Sequence, residues 1–146
     1  MSDSVVVQAY DSILELVRGV EGYKSKTFEV YSDADIEDAT KNITLPCAGI
    51  VYDGIKAISE QERATLKIGA SAEIVFSVLI MFKKAPMASV APSRDVINTL
   101  DGLRRRFRES KAPTGHKWRF ISESMVATKA NILVYAQRWS CPVQFV

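Results

Sequence analysis

Residues 66–82 alternate. Leu66, Ile68, Ala70, Ala72, Ile74, Phe76, Val78, Ile80 and Phe82 are all apolar or small. The positions between them begin as Lys67, Gly69, Ser71 and Glu73 and turn apolar only later. A period of two is the period of a strand, half-buried at first and then buried on both faces. Its length is a constraint in itself. Seventeen residues at about 3.3 Å each would run roughly 56 Å. A compact chain of this size is only about 40 Å across. The strand must therefore bend, with Gly69 as the natural place, or overhang the domain and pair with something outside it, because a bare edge invites aggregation.

The rest of the chain reads as helices and further strands. Val6, Ala9, Tyr10, Ile13, Val17 and Val20 recur at helical spacing after Ser2 and Ser4, either of which can cap, and Gly19 and Gly22 close that helix. Residues 27–31 form a short strand and residues 43–55 another. Pro46 argues for an edge or a bulge there, and Asp53-Gly54 for a turn. A second helix is capped by Ser93, has Asp95 in its first turn and carries the stripe Val96, Ile97, Leu100, Leu103 and Phe107. Strands then resume: Trp118, Phe120 and Ser122 alternate with Arg119 and Ile121, residues 128–131 turn, and Leu133, Tyr135, Gln137, Trp139, Cys141 and Val143 share one side of the last strand. The expectation is one α+β domain spanning residues 1–146. Its sheet is mixed and mostly antiparallel, with two main helices packed on it.

Charge divides the chain. Residues 29–62 hold eight acids against Lys41 and Lys56, and residues 94–119 hold eight bases against Asp95, Asp101 and Glu109, so the two stretches carry −6 and +5. Opposite patches of this kind can join copies head to tail, or remain two solvated surfaces. The chain as a whole is only +2, which argues against a strongly basic nucleic-acid binder. Asp33, Asp35, Glu37 and Asp38 form the acidic half of the candidate interface, and Arg104, Arg105, Arg106 and Arg108 the basic half. On a helical wheel Phe107 joins the buried stripe and Arg105 points away from it. Arg104 and Arg108 fan to one side and Arg106 to the other, so the run makes no single groove-reading face. Helix-end charge, an acidic protein neighbour and phosphate contact are the three readings of it.

Signs of bond-making chemistry are few. No Walker, Rossmann, zincin or nucleophile-elbow pattern is present. One histidine, His116, follows Gly115 in a loop, and a multi-histidine or thiolate-rich metal site cannot be assembled from it and two scattered cysteines. Cys47 and Cys141 read as buried free thiols. The spacing of the 33–38 acids does not fit a calcium loop. Glu73 and Glu123 become a catalytic pair only if the fold brings them together. No cofactor, no metal and no enzymatic activity are expected. The N-terminus has no secretory pattern and residues 74–82 are too short to cross a bilayer, so a soluble intracellular protein is expected.

Three passages carry a family resemblance: Leu45-Pro46-Cys47-Ala48-Gly49-Ile50-Val51-Tyr52-Asp53-Gly54, the alternating strand, and Trp118-Arg119-Phe120-Ile121-Ser122-Glu123 with Leu133-Val134-Tyr135-Ala136-Gln137-Arg138-Trp139. In order and texture they resemble the tail terminator and related minor tail proteins of long-tailed bacteriophages. The resemblance implies a mixed sheet flanked by helices and a hexameric homo-oligomeric ring on the head-proximal end of the tail tube. Such a ring ends tube growth, contacts the tail tube protein and the neck or head–tail connector, and lets DNA pass as cargo. It implies assembly in the host cytoplasm, a place in the virion, and no catalytic residue. Alternatives are another neck, connector or tail-completion protein, or a host adaptor that reads acidic partners through its arginines.

Overall fold

The computed structural model describes residues 4–20, 23–24, 26–32, 34–36, 46–66, 70–83, 94–129 and 132–144. Within them lie helix α1 (Val5–Arg18), strands β1 (Thr27–Val30) and β2 (Cys47–Ala57), helix α2 (Glu60–Leu66), strand β3 (Ala72–Lys83), helix α3 (Arg94–Arg108) and strands β4 (Arg119–Lys129) and β5 (Ile132–Val143). Residues 34–36 are also helical. The strands form one sheet in the order β1-β2-β3-β5-β4. β1 runs parallel to β2 and every other pair is antiparallel. The expected α+β architecture is therefore the observed one.

Register explains the alternation in β3. Ile74, Phe76, Val78 and Ile80 face the same side as Ile50 of β2 and Trp139 and Cys141 of β5. They share one core with Ala9, Ile13 and Val17 of α1 and Leu100, Leu103 and Phe107 of α3, so both long helices cover this face. The other face has a polar end and an apolar end. Glu73, Ser77 and Ser140 occupy the first; Cys47 and Met81 occupy the second, and all five are buried. Gly49 belongs to the apolar end for a steric reason. A Cβ there would meet Val30 Cγ2 at 2.7 Å and Phe28 Cζ at 2.9 Å, so only glycine lets β1 close over β2.

Local chemistry sets the ends of the elements. Ser4 caps α1 by accepting from the Val7 N–H at 3.2 Å. Gly19 ends it, and the Arg106 guanidinium occupies the space that a Gly19 side chain would need. Arg106 Nε donates to the Leu16 carbonyl at 2.9 Å, so α3 supplies a cation to the C-terminal end of α1. After α3, the Gly115 N–H bonds the Ala112 carbonyl at 2.9 Å, closing a turn with Pro113 at its second position. Gly115 itself takes φ +86°, and Thr114 Oγ1 fastens the loop to the Pro142 carbonyl at 2.8 Å.

Four expectations are corrected. The long alternating stretch does not make one strand: Leu66 ends α2, and β3 begins at Ala72. Twelve residues extend roughly 40 Å, the width of the domain. Ser59 starts α2 by accepting from the Glu62 N–H at 3.1 Å, and the local bond overrides the alternation. Gly69, the expected bend, lies outside the described residues. Asp53-Gly54 is not a hairpin turn but a bulge inside β2, where the register slips between Tyr52 and Gly54 and Gly54 adopts φ +115°. Pro46 marks no edge strand, since it precedes β2, whose Ala48–Val51 pair with β1 on one side and β3 on the other. Ile97 is not in the buried stripe of α3; it is half exposed.

Candidate interaction surface

The two edges of the sheet, β1 and β4, are at opposite ends of the molecule's strand order. They differ in chemistry. Beside β4 and the C-terminal half of α3 runs a groove of about 400 Å³, lined by Asp101, Arg104, Arg108, Lys117, Trp118, Phe120 and Trp139. Its aromatic wall is held rigidly. Phe107, fully buried, stacks on Trp139 at 4.2 Å and 6° and meets Trp118 edge-on at 5.6 Å. Phe120 packs on Trp139 at 5.2 Å yet remains half exposed. The indole N–H of Trp118 is buried and finds no acceptor among the described residues. Beyond the groove, β4 carries Ile121, Met125 and Val126 exposed, with register slips at Phe120/Ser122 and Met125/Ala127.

The expected arginine cluster is divided by the fold. Arg106 is bound to α1, as described above. Arg104 pairs with Glu123 of β4 and with Asp101 at 3.3 Å. Arg105 projects outward and pairs with Asp101 at 3.2 Å. Arg108 and Lys117, both exposed, have no ion-pair partner among the described residues. The groove therefore presents Arg108 and Lys117 as its free cations, with Arg104 held behind them.

The polar interior accounts for the remaining candidates. Glu123 accepts from Arg104 and from Gln137 Nε2 at 2.7 Å. Gln137, fully buried, also donates to the Leu100 carbonyl at 2.9 Å and accepts from Trp139 Nε1 at 3.2 Å. Glu73 lies on the opposite face, where Arg119 and Ser140 donate to its Oε2 at 2.7 and 3.0 Å. The register places Glu73 and Glu123 on different faces of the sheet, so they cannot act on one substrate. His116 sits in the loop before β4, where its carbonyl accepts from Ala112. Asp53 accepts from Ser77 and lies 3.7 Å from Arg138. No group of three His, Cys, Asp or Glu that could hold a metal occurs among the described residues.

At the β1 edge the chemistry reverses. Tyr31 projects at 77% exposure directly after β1. Asp35 Oδ2 accepts from the backbone N–H groups of Tyr31 and Ser32 at 2.7 and 3.0 Å, fixing the turn that presents the ring. Glu29 and Asp11 lie close to the phenol. Local desolvation, then the hydrogen bond and repulsion from Glu29, and last the Asp11 charge all raise its pKa, and a hydrogen bond with Tyr10 opposes them. Of the expected acidic residues, Asp33, Glu37 and Asp38 lie outside the described residues. Asp35 serves the turn.

Both thiols are buried and unpaired. Burial pushes Cys47 up to about 11, against a small opposing effect of Lys26, and raises Cys141 as well. Among the described residues no helix is long and apolar enough to cross a membrane.

Sequence reasoning reached the basic half of this surface but missed its aromatic half. The signal was Trp118-x-Phe120 beside Lys117: alternate residues face one side of a strand, and Trp139 sits opposite Phe120 in the neighbouring one. No family model matches the chain, and none of the curated proteins does.

Proposed function

We propose that the chain is a structural assembly protein that forms a homo-oligomeric ring, and that its place is the head-proximal end of a bacteriophage tail. The observation that carries the assembly part is the disposition of the two sheet edges. One is acidic around an exposed tyrosine, the other basic around an aromatic groove, and they end the same sheet. A contact between unlike surfaces at opposite ends is heterologous, and such contacts make rings when the rotation closes. The mixed sheet with two helices on one face agrees with what the tail-terminator resemblance implies. In this role the ring, of six copies, caps the tube, offers a surface to the neck protein and passes DNA through its lumen.

The test is direct. Mass photometry and light scattering of the full chain, with and without purified tail tubes, should find a closed oligomer that seats on one tube end. A strict monomer that ignores tubes removes the proposal.

A second reading, an adaptor for acidic partners, is favoured by Arg108 and Lys117, cations without ion pairs among the described residues. It is tested by the double change Arg108→Glu with Lys117→Glu, since altering Arg104 or Arg106 would damage the fold. Loss of capture of an acidic partner by a chain that still forms its oligomer would support it.

A further inference from the structure

We infer that the groove beside β4 is the socket for the Tyr31 edge of a second copy of this chain. The inference rests on the assembly reading and adds the residues that make the contact. Three observations fit together. The groove, at about 400 Å³, lies within the size of clefts that hold a compact ligand, about 300–1,000 Å³. It has an exposed aromatic for a ring to pack on, the half-exposed Phe120, which rests on Trp139; Trp139 and Trp118 are themselves buried behind it. It also has two cations, Arg108 and Lys117, without ion pairs among the described residues. The Tyr31 edge supplies the complement of each. An exposed phenol sits on a turn fixed by Asp35, with the Glu29 and Asp11 carboxylates close beside it.

Seated in the groove, the Tyr31 ring packs against Phe120, and Arg108, in the same lining, offers its guanidinium to an aromatic face. Glu29 and Asp11 then meet Arg108 and Lys117. Partner choice follows from charge as well: two grooves repel, and so do two Tyr31 edges, so only head-to-tail pairing survives. Exposed Ile121, Met125 and Val126 on the same edge become covered by the neighbour rather than left to solvent.

Charge exchange tests this. One variant carries Arg108→Glu and Lys117→Glu, and another carries Asp11→Lys and Glu29→Lys. Each alone should need at least tenfold more protein to assemble, as read by light scattering of the full chain. Mixed in equal amounts they should assemble again, because each then offers the surface the other requires, and native mass spectrometry should find the two alternating one to one. Tyr31→Ala, an exposed change that leaves the core intact, should weaken assembly by a similar factor. Assembly of the single variants at wild-type concentrations, or a mixture of folded variants that fails to recover, overturns the socket while leaving the ring in place. A wild-type chain that never assembles overturns the ring, and the socket with it.

Discussion

Replacing Phe107 by alanine tests how the groove is built. The ring is fully buried at the junction of α3 with β5 and the loop before β4, and it touches both tryptophans of the chain. Truncating a buried phenylalanine costs roughly 3–5 kcal/mol, from lost transfer energy and the cavity left behind. Aromatic geometry contributes about 0.5–1.5 kcal/mol per pair beyond area, and Phe107 makes two pairs with tryptophan, so the upper end of that range is expected. Against a total stability of about 5–15 kcal/mol, this is a third or more of the margin. At roughly 2–4 °C per kcal/mol for a chain of this size, the melting temperature should fall by about 10 °C or more. Urea titration and a thermal scan, both followed by tryptophan fluorescence, read the two effects, because both tryptophans of the chain line the site. Ile97→Ala on the same helix is the control: it is half exposed, and its cost should stay within about 0.5 kcal/mol. A Phe107→Ala chain that loses less than 1 kcal/mol, roughly the cost of a surface change, with unchanged native fluorescence, would refute this account of the wall.

Three further outcomes follow from the interior. Gln137→Leu strands the Trp139 N–H and part of the Glu123 shell, while the Leu100 carbonyl loses only its second donor and keeps its helical one; at about 1–3 kcal/mol per orphaned group, and less than additively, a loss of roughly 1–3 kcal/mol in urea denaturation is expected, and neutrality would mean the network has other partners. Gly49→Ala forces a Cβ against Val30 and Phe28 and should cost about 1–3 kcal/mol, while the chemically identical change at exposed-side Gly102, where nothing lies within 4 Å, should stabilise or leave α3 unchanged. The thiols give a pH dependence. Cys47 titrates near 9.0 when exposed and about 11 when folded, so its contribution is complete below pH 9 and is lost as pH rises toward 11. Stability should fall over that window and fall less steeply in Cys47→Ala, and a thiol reagent at pH 8 should label Cys47 and Cys141 only at the rate of unfolding.

Much of this fold was legible because strand and helix periods leave separate marks. The odd-numbered face of β5 and the even-numbered face of β3 were readable residue by residue, since one face of each packs under two helices. What failed to read was local. Ser59-Glu60-Gln61-Glu62 is a helix-start pattern lying just before an alternating run, and alternation, being the louder signal, hid the helix that ends at Leu66. Asp-Gly reads equally as turn or bulge; which one forms depends on whether the chain continues alongside β3, and that is a long-range fact. The site was half legible for a related reason. Arginines in a row are visible in sequence, but which of them is engaged depends on partners far away. Arg106 meets Leu16 and Arg104 meets Glu123, and neither pairing leaves a trace in spacing. The aromatic wall joins Phe107, Trp118 and Trp139 from three elements, so only the folded chain assembles it.

Salt should separate the two forces that the socket combines. The charges concerned are exposed, so their attraction is screened with a Debye length of about 8 Å at physiological ionic strength and about 3 Å at 1 M. The aromatic contact responds in the opposite sense or not at all, because it buries apolar surface. Assembly held together by both should weaken as sodium chloride is raised from low values, then level off at the part carried by Tyr31 against Phe120 and by the covered Ile121, Met125 and Val126. In the Tyr31→Ala chain that plateau should drop, since the ring's share of the apolar contact is gone. In the Arg108→Glu, Lys117→Glu chain the trend should invert, since salt then relieves repulsion between like charges. Light scattering across a salt series measures all three curves with one protein concentration. Parallel curves for the three chains would mean that neither charge nor ring acts at the contact, and the two sheet edges would then be ordinary solvated surfaces.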